Sequence, residues 1–267
     1  MSKSLKYMGY REEDFAAAWG KYFVEEMPPI QPQVLEGLMN SPFAVGKIPP
    51  FSEVTKLANE GYAEVETGYS LEKDGSIHVA ILTKMPRVSP KMWDWWFGWH
   101  GCRDNRYKLW HPKAHKSALW QDGKDDESYI GRTSVIQEYI GKNFEKANIK
   151  FISPLKLGFS ELQIKHKEKA VFICARVGYT NLPIDFGWLV HQVRATAEGA
   201  EMRSRFWFGG EHIEIRFDGL LPKTFAKILQ KIVLLRARRA QDLLIHCAEE
   251  MNHLAQFLPE IYAEFSK

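Results

Sequence analysis

A series of short strand-like runs, closed by one long helical segment, constrains the fold more than any other feature of this sequence. Apolar and polar side chains alternate in the runs, which is typical of half-buried strands. The runs cover residues 132–140, 149–157, 161–167, 170–179, 187–196 and 202–208. The closing segment opens at Pro222 and is predicted to continue as a helix to Leu258, where Pro259 ends it. A meander of antiparallel strands followed by a helix predicts an α+β protein in which a curved sheet grips that helix.

Two earlier alternating runs, YAEVETGYS and SIHVAILTK, are separated by KDG, which is a hairpin signal. Ser89 and Pro90 then supply an N-cap and a proline at the first helical position, so a helix is predicted through MWDWWFGWH. The stretch RYKLWHPKAH that follows shows no clear period and is predicted to be irregular.

The N-terminal part has a different texture. Residues 11–24, REEDFAAAWGKYFV, predict a short amphipathic helix whose acidic first turn suits the helix dipole. Six prolines between Met27 and Phe51 argue against a long regular helix or a central strand, so this segment is predicted to be an extended arm. We therefore expect residues 1–60 to form an arm, a candidate oligomerisation element, and residues 61–267 to form the main domain.

Charge and cysteine content exclude several classes of protein. A net charge of only +3 creates no global field toward nucleic acid or a membrane surface. No stretch approaches the roughly 18 consecutive apolar residues of a membrane span. The three widely spaced cysteines contain no CxxC pair, which favours a reducing, cytoplasmic setting without a disulfide framework or a thiolate metal site.

Two polar residues lie on the apolar face of the predicted C-terminal helix. Projected at about 100° per residue, one sector contains Phe225, Ile228, Leu229, Ile232, Leu243, Cys247, Leu254 and Phe257. His246 and Glu250 fall in the same sector, one turn apart, whereas Glu249 projects away from it. A core-facing carboxylate costs several kcal/mol unless it is paired or bound to a metal. Helix geometry alone leaves two alternatives open, a metal ion and an ion-pair network in which Arg236 and Arg239 are candidate partners.

Further polar residues are candidates for the same site. Glu138 shares a predicted strand face with Ile136 and Ile140, and His191 lies among apolar residues in WLVHQV, although a lone buried histidine is more often simply hydrogen-bonded. His111 lies in the turn KLWHP, where a proline stiffens the backbone. Two histidines and two carboxylates suit zinc and, less specifically, manganese, iron or cobalt. Without thiolates, a catalytic metal is favoured over a structural one.

Five motifs follow one another in a fixed order between about residues 85 and 258. They are WDWWFGWH (93–100), RYKLWHP..H (106–115), Glu138 before Tyr-Ile-Gly, EMRSRFWFG (201–209) and HC.EEM.HL (246–254). Together they resemble the diacetylphloroglucinol hydrolase and phloretin hydrolase family. The resemblance implies a Bet v 1-like helix-grip domain and a zinc-dependent hydrolase that cleaves the carbon–carbon bond between an acyl group and a phloroglucinol-type ring. It also implies a homodimer and a small aromatic ketone as the substrate.

The resemblance further implies the metal ligands, one active-site histidine and the position of Phe206, and side-chain chemistry suggests the other candidates. The ligands of one zinc ion per chain would be His111, Glu138, His246 and Glu250. The candidate general acid/base residues are His191, which matches a further active-site histidine of the family, and His115, because imidazole titrates near neutral pH. The candidate substrate contacts are Tyr107, Trp110 and Phe206, the last at a position where a tyrosine hydroxyl could serve a substrate oxygen and phenylalanine cannot.

Two functions of different class remain open at this point. The first is the metal-dependent hydrolase. The second is a non-catalytic helix-grip protein that binds small aromatic ligands and uses the polar cluster as a structural network. The metal content of the purified protein separates the two.

Overall fold

The structure, a computed structural model, describes residues 9–217, 224–228, 230 and 236–266. Within these ranges nine strands form one antiparallel sheet in the order β1-β2-β8-β7-β6-β5-β4-β3, and the short β9 pairs with β7. The strands are β1 (Gly68–Leu71), β2 (Ile77–Pro86), β3 (His115–Trp120), β4 (Thr133–Ile140), β5 (Asn143–Ile152), β6 (Ala170–Tyr179), β7 (Ile184–Thr196), β8 (Gly199–Phe208) and β9 (Glu214–Ile215).

Helices pack against both faces of this sheet. They are α1 (Pro32–Met39), α2 (Pro90–Trp99), α3 (Asp104–Trp110), α4 (Glu161–Ile164), α5 (Ala237–Leu254) and α6 (Leu258–Phe265). Helix α5 packs against β1 and β2 near one edge of the sheet and against β4 near the other, so the sheet curves around this helix. The predicted α+β class, with a curved antiparallel sheet that grips a helix, is confirmed.

Several predicted elements are found where the sequence places them. β1 and β2 form the predicted hairpin, with Leu71 opposite Ile77. Helix α2 begins at Pro90, after the extended Ser89. The predicted strand 170–179 coincides with β6, and those at 132–140, 187–196 and 202–208 correspond to β4, β7 and β8. Strands predicted from long alternating or fully apolar runs are therefore confirmed, because the apolar side chains of these runs are buried against α5 and α2.

The N-terminal prediction was wrong in two respects. The predicted helix over 11–24 is instead two 3₁₀ turns, Glu12–Ala16 and Gly20–Tyr22, and no residue of the first turn is buried. A short helix without a buried face gains too little packing to persist. The predicted extended arm also contains helix α1, which starts with Pro32 in its first turn, where a missing N–H group removes no helical hydrogen bond.

Two other segments differ from the prediction for local reasons. RYKLWHPKAH is not irregular, since it forms most of α3 and the start of β3. The helix ends at Trp110, because His111 leaves the helical region with φ of −144° and ψ of 89°, as expected for a residue before a proline. The predicted strand 161–167 contains α4, because the Ser160 hydroxyl accepts a hydrogen bond from the Gln163 N–H and the Gln163 side chain accepts one from the Ser160 N–H.

The predicted single helix from Pro222 to Leu258 is also wrong. Residues 224–228 are helical, but Arg236 is extended, with φ of −100° and ψ of 157°, and α5 starts only after it. Pro259 lies in the first turn of α6, where proline is tolerated, and does not end a helix.

The break at Arg236 changes which residues form the buried stripe. Phe225 and Ile228 are 53% and 47% exposed, so they do not belong to it. Two further residues predicted for the stripe, Leu229 and Ile232, lie outside the described residues. The part of the stripe that falls on α5 and just beyond it is buried as predicted, namely Leu243, Cys247, Leu254 and Phe257.

Aromatic side chains fill the space between α2, α5 and the sheet. Trp93, Trp96 and Trp99 are each at most 2% exposed and belong to the same hydrophobic cluster as Leu244 and Met251 of α5.

Among the described residues, no helix is both long enough and apolar enough to span a membrane.

Acidification is expected to destabilise the fold because several histidines are buried in the neutral form. Burial lowers the pKa to about 3 for His191 and to about 4 for His100, His212 and His253. Between pH about 6.5 and about 4, the unfolded chain therefore binds more protons than the folded chain. The stabilisation is complete above pH about 6.5 and is lost as the pH falls, by about 1.4 kcal/mol per pH unit for each histidine.

Urea unfolding at a series of pH values between about 7 and about 4 measures how the free energy of unfolding changes with pH. The His253→Gln variant should show a pH dependence that is shallower by about one proton. Equal slopes for the variant and the original protein would contradict the expectation for His253.

Candidate metal centre and ligand cavity

Four buried polar residues from three elements meet between the sheet and α5. Glu138 lies on β4, and His115, the first residue of β3, is its direct cross-strand partner. His246 and Glu250 lie one turn apart on α5. All four are at most 8% exposed, so the burial of His246 and Glu250 predicted from the helix pattern is confirmed.

The four side chains direct one atom each toward a common point. His115 Nε2 lies 3.3 Å from Glu138 Oε2, 3.3 Å from Glu250 Oε2 and 3.4 Å from His246 Nε2. His246 Nε2 lies 3.5 Å from Glu138 Oε2 and 3.9 Å from Glu250 Oε2. Both carboxylate oxygens thus lie close to both histidine nitrogens, and the donor atoms of His115, Glu138 and His246 all lie within 4.8 Å of one another.

Tyr107 orients two members of this cluster. Its backbone carbonyl lies 3.0 Å from His115 Nδ1. A carbonyl only accepts, so Nδ1 carries the proton and the lone pair of His115 is on Nε2, the atom that faces the cluster. The Tyr107 hydroxyl donates to Glu138 Oε2. The rings of Tyr107 and His115 are also stacked, with 3.8 Å between centroids and 3° between planes.

The structure places His111 at the edge of the cluster. Its Nε2 lies 3.2 Å from Glu249 Oε2, and its Nδ1 is buried without a hydrogen-bond partner among the described residues. Its ring is stacked on that of His246, with 4.9 Å between centroids and 13° between planes. Lone pairs in the planes of stacked rings do not converge on one point. The geometry therefore brings His115, assigned above to acid/base chemistry, into the place assigned to His111.

The pKa values of Glu250 and His246 are both raised in the metal-free cluster. Burial raises the pKa of Glu250 to about 8, despite the opposing effect of His246. Burial acts to lower the pKa of His246, but the charge of Glu138 and a hydrogen bond to it outweigh burial and raise the pKa to about 9. At neutral pH both groups are therefore protonated in the metal-free protein, as expected for carboxylates crowded together without a positive ion.

The alternative ion-pair network is not found among the described residues. Arg239 Nη1 lies 2.6 Å from Glu145 Oε1, and Arg236 is exposed. No lysine or arginine of the described ranges lies within 4.0 Å of a Glu250 carboxylate oxygen, whose ion-pair partners are His115 and His246. Glu250 is therefore not neutralised by a lysine or an arginine of the described ranges.

An apolar cavity adjoins the cluster. Its volume is about 100 Å³, which is enough for several water molecules. Glu138, His246 and Glu250 form part of its wall. The three residues assigned to substrate contact, Tyr107, Trp110 and Phe206, line the same cavity, as does His191. Most of the remaining wall is apolar and includes Ile136, Ile140, Leu189, Leu243 and Phe208.

His191 is a residue of β7 that lines the cavity and contacts the hydroxyl of Ser204. Its Nδ1 lies 2.8 Å from the Ser204 hydroxyl, and the edge of the Phe206 ring faces it at 5.7 Å between centroids. Burial lowers the pKa of His191 to about 3, so the imidazole is neutral at neutral pH. A neutral imidazole in a cavity wall can make a hydrogen bond to a bound ligand.

The cavity wall contains polar residues that the sequence did not single out. His100 and Ser134 both line it, and the Ser134 hydroxyl is buried without a partner among the described residues. A sequence signal exists for Ser134, which lies two and four residues before Ile136 and Glu138 on the same strand face. His100 gives no such signal, because its position depends on how the end of α2 packs.

The Tyr107→Phe variant is expected to bind a divalent metal about 10- to 100-fold more weakly, because it loses the hydrogen bond that holds the Glu138 carboxylate. The ring and its stacking on His115 are retained. Competition with a chelating dye measures the affinity. The Tyr139→Phe variant, on the same strand as Glu138 but on its other face, is the control. Equal affinities in Tyr107→Phe and the original protein would show that this hydrogen bond does not position Glu138.

The fold and the site together define a class of protein: a helix-grip domain with a buried cluster of two histidines and two glutamates at the wall of an apolar cavity. The family model described as the DAPG hydrolase PhiG domain matches residues 48–263. The chain belongs to this family. The resemblance noted in the sequence, and with it the assignment as a hydrolase, is confirmed.

Two relatives show the extent of the similarity. The chain is 28% identical over 265 residues to a 2,4-diacetylphloroglucinol hydrolase of Pseudomonas protegens, covering 92% of this chain and 84% of that protein. It is 28% identical over 271 residues to phloretin hydrolase of Eubacterium ramulus, covering 96% of this chain and 93% of that protein. Among solved structures, it is similar to Ara h 8.0201, with a TM-score of 0.44 and 10% identity over 70% of this chain and 99% of that one.

Proposed function

We propose that this protein is a metal-dependent hydrolase that cleaves the carbon–carbon bond between an acyl group and a polyphenol ring of the phloroglucinol type. The observation that carries the proposal is the spacing of the four donor atoms, which lie between 3.3 and 3.9 Å apart in the five pairs described above. Ligands about 2.1 Å from a tetrahedral zinc ion are separated by about 3.4 Å. The donor atoms of His115, Glu138 and His246 therefore have the spacing of zinc ligands, and Glu250 lies beside them.

The donor set supports the same proposal. Imidazole nitrogen and carboxylate oxygen, without thiolate, suit a catalytic zinc ion. The residues proposed to hold one ion per chain are His115, Glu138, His246 and Glu250, with His115 in place of His111. Such an ion lowers the pKa of a bound water molecule and polarises a carbonyl oxygen.

The protein's own residues bind and orient the substrate beside that site. The apolar wall formed by residues such as Trp110 and Phe206 accommodates the ring and excludes bulk water, which strengthens electrostatic interactions within the cavity. Glu138, His246 and Glu250 lie in the same wall, so a ring in the cavity carries its acyl group next to the cluster.

The proposed reaction consumes one water molecule. The hydroxyl of the water goes to the acyl carbon, which becomes a carboxylic acid, and the bond from that carbon to the ring breaks. The ring leaves as a stabilised enolate, and its former acyl-bearing carbon takes a proton. His191 is proposed as the general acid/base residue that handles this proton, because it lines the cavity and is not part of the cluster. His115 is fully buried and oriented by Tyr107, which favours a ligand role over proton transfer.

The relatives support the choice of substrate. They are named for hydrolysis of 2,4-diacetylphloroglucinol and of phloretin, both phenolic ketones. A non-catalytic binding protein needs only the apolar cavity and gives no reason for four converging donor atoms. The zinc ion, the homodimer, the cytoplasmic location and the division at residue 60 remain predictions.

A panel of acylphloroglucinols, including 2,4-diacetylphloroglucinol and phloretin, tests the proposal by ultraviolet absorbance. We expect turnover that a chelator abolishes and added zinc restores, with release of one carboxylic acid for each ring. Binding of these ketones without turnover, with or without zinc, would favour the non-catalytic alternative.

A further inference from the structure

His100 lines the cavity, and its Nε2 makes no hydrogen bond among the described residues. His100 lies at the C-terminal end of α2 and is 3% exposed. It lines the same cavity as the metal cluster, on a stretch of wall that is otherwise aromatic. Among the described residues, its one hydrogen bond is made by the other ring nitrogen, Nδ1.

The hydrogen bond at Nδ1 determines whether Nε2 can donate or accept a hydrogen bond. Nδ1 lies 2.8 Å from the backbone carbonyl of Trp96, which only accepts hydrogen bonds, so Nδ1 carries the proton. Burial lowers the pKa of His100 to about 4, so the ring does not take up a second proton at neutral pH. Nε2 therefore presents a lone pair, and it can only accept a hydrogen bond.

The surrounding rings hold His100 in place. Its ring stacks on Trp96 and Tyr107, with centroids 5.6 and 5.8 Å away, and the Trp110 ring faces it at 5.2 Å. Tyr107 is in turn stacked on His115. One aromatic ring, that of Tyr107, thus separates His100 from His115 of the metal cluster.

We propose that His100 Nε2 accepts a hydrogen bond from a phenolic hydroxyl of the substrate ring on the side away from the acyl group, and so selects polyhydroxylated rings. This inference rests on the proposed function for the identity of the ligand. A buried acceptor rejects a ligand that fills the same space without offering a donor, because the acceptor then loses its water and gains no partner. His100 is thus a specificity-determining residue.

Two ligands that differ in a single hydroxyl test the proposal. One is a trihydroxyphenyl ketone with hydroxyls on both sides of the acyl group and one para to it, and the other lacks only the para hydroxyl. Binding is measured by quenching of tryptophan fluorescence, which requires no turnover. The original protein should prefer the trihydroxy ligand by about 10- to 100-fold. The His100→Phe variant should bind both ligands alike, with the dihydroxy ligand bound about as tightly as by the original protein.

Two further variants keep the test decisive if the phenylalanine variant folds poorly. His100→Gln, whose amide oxygen offers an acceptor, should retain part of the preference. Ser134→Ala removes a different polar atom from the cavity wall and should retain all of it. Zinc content, measured alongside, should be unchanged in all three variants.

The outcomes separate this inference from the proposed function. A preference that persists in His100→Phe, or an equal weakening of both ligands, would overturn the role of His100, whether or not the protein hydrolyses them. A preference that His100→Phe abolishes, in a protein that turns over neither ligand, would support the recognition role and contradict the hydrolase.

Discussion

Replacing Glu250 by alanine is expected to abolish both retention of the metal and turnover. Glu250 Oε2 lies 3.3 Å from His115 Nε2 and 3.9 Å from His246 Nε2, and it contributes one of the four atoms around the proposed ion. Loss of a residue that merely orients a ligand costs about 10- to 100-fold in affinity. Loss of the ligand itself should exceed that, and His246→Ala should behave in the same way.

The neighbouring glutamate provides a matched control. Glu249 has the same side chain on the same helix, but it is 37% exposed and its carboxylate faces His111. Glu249→Ala should keep about one equivalent of zinc and most of its activity. Metal analysis after dialysis, with turnover measured on the same samples, distinguishes the two variants. Normal turnover in Glu250→Ala together with loss in Glu249→Ala would show that the other glutamate is the ligand.

The second large effect separates the two histidines of the motif WHPKAH. His115→Ala is expected to lose the metal, because its Nε2 takes part in three of the five short separations within the cluster. His111→Ala is expected to keep it with an affinity reduced by at most about tenfold, since His111 stacks on His246 and contacts Glu249 instead. Titration of each metal-free variant with zinc measures the difference.

The reverse outcome, loss of zinc in His111→Ala and retention in His115→Ala, would restore the assignment that the family resemblance suggested. It would require the segment between α3 and β3 to rearrange when the ion binds. Circular dichroism of both metal-free variants is the control for folding, because His115 is fully buried and its truncation leaves a small cavity.

Three members of the cluster were predictable because each violates a local pattern. Glu138 interrupts a run of apolar residues at a spacing of two, and His246 and Glu250 interrupt the apolar stripe of a helix. Strand and helix periodicity decide which side chains are buried, and both can be read from a single sequence. A buried carboxylate then needs a partner, which predicts a site without identifying its remaining members.

The fourth member could not be chosen in the same way. His111 and His115 both lie in RYKLWHPKAH, and only the pairing of β3 with β4 places His115 opposite Glu138. That pairing is a contact between distant parts of the chain, and no local period encodes it. The position of His100 could not be predicted for a similar reason, since its environment is formed by residues of both α2 and α3.

The errors in the fold have local physical causes. The Ser160 capping box turned a predicted strand into a short helix, and the extended Arg236 divided the predicted C-terminal helix. Neither change moves the site, because α5 still carries His246 and Glu250 on the face toward the sheet. The curved antiparallel sheet around a helix was predicted correctly, whereas the pairing of β2 with β8, which sets the strand order, was not predicted.

The metal content of the purified protein tests the central claim most directly. Elemental analysis after exhaustive dialysis should find about one equivalent of zinc or of another divalent transition metal per chain. Treatment with a chelator should remove the metal and the activity against acylphloroglucinols in parallel, and added zinc should restore both. Less than about a tenth of an equivalent, with no gain in bound metal or in activity when zinc is added, would contradict the account.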